Sequence, residues 1–74
     1  MNVFPNPSDD QITVSVKGIS SRAELRIIDI SGRTVLTTVL SRSKQLDVSR
    51  IPSGIYLINV REGDHSLSIR YMKK

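Results

Sequence analysis

Seventy-four residues carry eleven Lys and Arg against seven Asp and Glu, a net charge of +4, with 38% apolar side chains and no cysteine. A chain this short buries only about 60% of its unfolded surface, enough for one thin core but not for the walls of a deep substrate cleft. The missing thiol excludes disulfides, thiol catalysis and Cys-based zinc sites.

At the N-terminus a short strand is expected around Asn2 to Phe4, stopped by Pro5-Asn6-Pro7. Two prolines remove two backbone donors and hold the preceding residues extended, which makes a rigid entrance and suits a junction with an upstream protein. From Gln11 to Val16 apolar and polar residues alternate, placing Ile12, Val14 and Val16 on one face of a strand. Lys17-Gly18-Ile19-Ser20-Ser21 reads as a loop. A strand with Ala23, Leu25 and Ile27 on one face follows, and the paired Ile27-Ile28 predicts either two-sided burial or a bulge.

Ser31-Gly32 is the first strong hairpin signal, since Gly32 can take positive φ. The return strand, Arg33 to Leu40, is rich in β-branched residues, and Lys44 to Val48 forms a short strand with Leu46 and Val48 inward. Ser49 to Gly54 breaks the pattern, with room for one helical turn. Ile55 to Val60 places Tyr56, Ile58 and Val60 on one face, Glu62-Gly63-Asp64 closes another hairpin, and Leu67, Ile69 and Tyr71 are expected inward on the last strand. Six strands plus the short first one, joined at this spacing, predict an all-β, immunoglobulin-like antiparallel sandwich formed as one domain over residues 1–74. Tyr56, two residues after Gly54, matches the tyrosine corner of such sandwiches, whose hydroxyl bonds to backbone a few residues upstream.

Catalysis finds little support. His65 is the only histidine and sits beside a turn, the loop serines have no second histidine to activate them, and the aspartates are dispersed. No cofactor or metal site is expected. The basic residues are scattered along the chain, with only the aromatics Phe4, Tyr56 and Tyr71, so nucleic acid is not the expected partner. No segment is long or apolar enough to span a membrane. Met1 leads into Asn2 and a proline turn instead of a signal peptide, so export would depend on a larger parent. The last strand ends in Lys73-Lys74, which reads either as an edge guarded against aggregation or as a cationic tail offered to a receptor. Exposed strand edges also leave weak self-association open.

In order, Phe4-Pro5-Asn6-Pro7, Ile28 to Val35 around Ser31-Gly32-Arg33, Leu46-Asp47-Val48, Pro52-Ser53-Gly54-Ile55-Tyr56-Leu57 and the basic terminus resemble the C-terminal sorting domain of type IX (Por) secretion cargo. Phe4 stands where that family commonly has tyrosine. The resemblance, from about Val3 to Lys74, implies a secretion signal at the end of a larger secreted protein of a Gram-negative bacterium. It implies recognition by the outer-membrane translocon through Ser31, Gly32, Arg33, Gly54, Tyr56, Lys73 and Lys74. It also implies removal by a sortase-like peptidase upstream of Val3, with the cargo passing through the periplasm to the cell surface or medium. The rival reading is a structural or adhesive immunoglobulin-like module binding protein or carbohydrate.

Overall fold

Each alternating segment forms a strand with its apolar side turned inward in the computed structural model, which describes residues 2–4, 10–17 and 22–74. Among the described residues seven strands result: β1 (Asn2–Phe4), β2 (Gln11–Ser15), β3 (Ala23–Asp29), β4 (Thr34–Leu40), β5 (Ser43–Asp47), β6 (Gly54–Glu62) and β7 (His65–Lys73). All pairings are antiparallel, in a three-stranded sheet of order β1-β2-β5 and a four-stranded sheet of order β4-β3-β6-β7. The fold is therefore the expected β-sandwich, with β2–β3, β4–β5 and β5–β6 connections passing between sheets.

The inward faces meet in a single aliphatic core. Ile12 and Val14 from β2, with Leu46 and Val48 from and after β5, face Leu25 and Ile27 of β3, Leu40 of β4, Ile58 of β6 and Tyr71 of β7. Full burial of each such side chain contributes roughly 1.5–3 kcal/mol, the term that holds a cysteine-free chain of this size together. The Tyr56 and Tyr71 rings, opposite each other on β6 and β7, lie 6.3 Å apart and tilted by 34°. The ambiguity at Ile27-Ile28 resolves as a bulge: Ile27 pairs with Leu36 and Ile28 with Thr34, leaving Val35 as the extra residue on β4.

Three local expectations change. Ser49 to Gly54 forms no helix; one turn closes with the Ile51 amide donating to the Val48 carbonyl at 3.1 Å, and Ile51 is buried beneath it. Leu67 is 48% exposed, because β7 is the sheet's edge strand and the facing sheet has only short strands to cover it. Lys73, expected in an exposed tail, is a buried residue of β7. Alternation explains this, since residues 69, 71 and 73 share the inward phase of the strand. The Gly18 to Ser21 part of the first loop lies outside the described residues.

Candidate functional site

The ladder of the four-stranded sheet brings distant segments to one end of the sandwich. Asp29 of β3 is opposite Tyr56 of β6, Tyr56 is opposite Tyr71 of β7, and Gly54 is opposite Lys73. The turn after β3 and the segment leading from β5 into β6 therefore meet the chain terminus at the same end. Ser31, Gly32, Arg33, Gly54, Tyr56, Lys73 and Lys74, far apart in sequence, are all gathered there. Phe4 is exposed on β1, while Pro5, Asn6 and Pro7 lie outside the described residues.

Asp29, not singled out from the sequence, organises the first turn. Its Oδ1 accepts from the Ser31 amide at 3.0 Å, the Ser31 hydroxyl at 2.6 Å and the Arg33 amide at 3.0 Å. Its own amide donates to the Arg33 carbonyl at 2.9 Å, and its carbonyl accepts from the Gly32 amide at 3.0 Å. Gly32 has φ +91°, which closes the turn at a conformation open to glycine. The hydrogen bond from the Ser31 hydroxyl, followed by that from the Arg33 amide, holds the Asp29 carboxyl below its ordinary value. The Arg33 guanidinium stands 3.6 Å from Asp29 Oδ2 with its side chain 80% exposed, so the turn is fixed while its cation faces water. The legible signal was an aspartate two residues before a serine, the pattern of an Asx turn.

The same device recurs in the second segment. Asp47 Oδ1 accepts from the Ser49 amide at 2.9 Å, and hydrogen bonding by Ser49, led by its side chain, lowers the Asp47 carboxyl. Further along, the Tyr56 hydroxyl donates to the Pro52 carbonyl at 2.6 Å, the tyrosine corner read from the sequence. Gly54, at φ +153°, links the loop to β6 in backbone geometry that side chains rarely adopt. Tyr56 is buried and Gly54 shapes the entry to its strand, so both act here on conformation, whereas Ser31, Gly32 and Arg33 are exposed. At the terminus the Lys73 ammonium donates to the Lys74 carbonyl at 3.2 Å, and Lys74 is exposed.

Among the described residues at this end, the side-chain hydrogen bonds of Asp29, Asp47 and Tyr56 all go to nearby turn residues. His65 lies exposed at the start of β7, at the opposite end of the sheet, in a shallow depression shared with Glu62 and Ser66. Consecutive residues of a strand face opposite sides, so the His65 imidazole and Ser66 hydroxyl point apart instead of forming a nucleophile–base pair. Among the described residues no group of three His, Asp or Glu is placed to hold a metal ion, and no helix is long and apolar enough to cross a membrane.

Braced turns and strand ends that meet at one end define the class of the fold, a small antiparallel β-sandwich. The family model of the secretion-system C-terminal sorting domain (Por_Secre_tail) matches residues 2–74, and the chain belongs to that family. A comparison with curated proteins finds no match. The domain is thus a C-terminal sorting signal for type IX secretion, which engages the type IX machinery and directs export to the cell surface or medium. Sorting-signal domains are non-catalytic in general, and nothing favours an adhesive module.

Proposed function

We propose that the turn-rich end is the surface read by the outer-membrane translocon, with the domain serving as a compact, non-catalytic handle at the C-terminus of a larger secreted parent. The parent supplies the N-terminal export signal, and a sortase-like peptidase cuts upstream of Val3. The observation that carries this reading is the convergence at one end of the Asp29-braced turn, the Pro52–Tyr56 corner and the end of β7. Within that end the exposed Ser31, Gly32, Arg33 and Lys74 make contact, while Gly54, Tyr56 and Lys73 hold the backbone that presents them.

The test fuses the chain to the C-terminus of a periplasmic reporter in a type IX-competent host. The reporter is expected to reach the medium or cell surface, and Ser31→Ala with Arg33→Ala is expected to reduce export while the domain stays folded. A reporter retained in the periplasm by the unmodified fusion refutes the sorting role. Full export of the double variant moves the contact surface away from the turn.

A further inference from the structure

A sheet that does not close on itself ends in strands whose outer backbone groups have no ladder partner. An edge left long and uncharged is a template for another strand. The four edges of the described strands are not alike. β1 has only three residues, β5 carries Lys44 and Asp47, and β7 carries His65, Arg70 and Lys73. β4, the outer strand beside β3, runs Thr34-Val35-Leu36-Thr37-Thr38-Val39-Leu40, with no charged residue, proline or glycine. Its three threonines and two valines favour extended backbone. Among the described residues it pairs with β3 alone.

The bulge at Val35 bends the start of β4 and leaves residues 36–40 as its regular stretch. Leu36, Thr38 and Leu40 lie opposite Ile27, Leu25 and Ala23, on the core side, while Thr37 and Val39 lie opposite Arg26 and Glu24, on the outward side. Thr37 is exposed, Val39 is 49% exposed, and Leu36 is only partly covered. The charges nearest the edge, Arg26 and Glu24, pair with each other at 2.8 Å.

A strand of this composition is complementary to itself. Backbone groups facing away from β3 belong to alternate residues, and so do the side chains of each face. β4 therefore meets a second β4 only in registers that pair residues of the same phase. With Thr38 on the twofold axis the regular stretch is used from end to end. Leu36 then falls opposite Leu40 of the second copy, Thr37 opposite Val39, and Thr38 opposite Thr38. Core face continues core face, and aliphatic and threonine pairs of this kind stabilise antiparallel ladders. The flanking cations stay apart, because Arg33 and Arg42 fall opposite Ser43 and Thr34. An axis at Thr37 would draw the bulged Val35 into the ladder, and one at Val39 would set Arg42 against Leu36.

We propose that the domain pairs with a second copy of itself through β4, antiparallel and with Thr38 on the twofold axis, joining two four-stranded sheets into one of eight strands. This contact does not depend on the sorting role. Five residues a side bury less area than a stable dimer needs, and each copy carries a net charge of +4. The pair therefore forms at high concentration and tightens as salt screens the repulsion.

Sedimentation velocity of the 74-residue chain between about 10 µM and about 1 mM tests this. A dimer is expected to grow in with concentration and with added sodium chloride. Thr37→Lys together with Val39→Lys sets lysine against lysine in this register and is expected to raise the dissociation constant at least about tenfold. Thr37→Glu together with Val39→Lys sets each glutamate against a lysine of the second copy and is expected to tighten the dimer at least about twofold. In that same variant an axis at Thr37 or Val39 would oppose like charges. Melting temperatures taken at monomeric dilution separate loss of pairing from loss of folding. A chain that stays monomeric at about 1 mM overturns the proposal. So does a dimer that survives the paired lysines, which would place the contact on another strand, or one that the glutamate–lysine variant weakens.

Discussion

The two ends of the four-stranded sheet are built differently. At one end a carboxylate ties the β3–β4 turn at several points, a second carboxylate holds the start of the 48–53 segment, and a tyrosine hydroxyl pins that segment above β6. At the other, β6 and β7 are joined across Gly63 and Asp64, with Glu62 opposite His65 closing the ladder. Both turns reverse the chain, and the first is braced by the Asp29 carboxylate, whose loss would alter its shape. An end whose shape is specified atom by atom can present a constant surface to another protein.

Substitutions can break or sharpen this contrast. The largest effect is expected from Tyr56→Ala, which removes a buried ring and its contact with Tyr71 and costs about 3–5 kcal/mol by denaturant titration. Tyr56→Phe separates the hydrogen bond from the packing and should cost about 1 kcal/mol. Gly54→Ala follows, at roughly 1–3 kcal/mol, because its strain is in the backbone and the added methyl meets Tyr56 Cε2 only at 3.9 Å. Equal losses from Asp64→Ala and Asp29→Ala would erase the distinction between the two ends; the expectation is a clear fall in melting temperature for Asp29→Ala and little change for Asp64→Ala.

Acid gives the same comparison without mutation. Asp29 and Asp47 are lowered in the folded chain, so the stability they add is present above the unfolded value of about 4 and is lost as pH falls through their folded values. Amide exchange at Ser31, Arg33 and Ser49 should therefore quicken below about pH 4 relative to amides at the Gly63 end. Protection lost equally at both ends would show that the carboxylates do not brace the turns. The smallest effects are expected at the terminus: Lys74→Ala should stay within about 0.5 kcal/mol, and Lys73→Ala should exceed it because the Lys73 stem is covered.

Much of this was legible in the residues. Alternation at Ile12-Val14-Val16 and at Tyr56-Ile58-Val60 assigned the inward faces correctly, and Gly54-x-Tyr56 announced a corner whose hydroxyl does reach back to Pro52. The same alternation misjudged Leu67, because period two reports which side a residue faces and not whether a second layer covers it. Asp29 was passed over although its spacing to Ser31 is that of an Asx turn, because only the folded turn shows one carboxylate oxygen accepting from two amides and a hydroxyl. Lys73 was read by its charge, although its place in the strand phase carried the answer.

By itself the sequence determined the all-β class, the strands, their inward faces and the family signature, since each depends on neighbours two to six residues apart. Tertiary structure alone decided that β5 joins β2 while β6 joins β3, through pairs such as Ile12 with Leu46 and Ile27 with Ile58. Those long-range ladders gather the two braced turns and the chain terminus at one end. Hydrogen-bond ladders between remote segments are chosen by the packing of whole sheet faces, a property that no local window of residues contains.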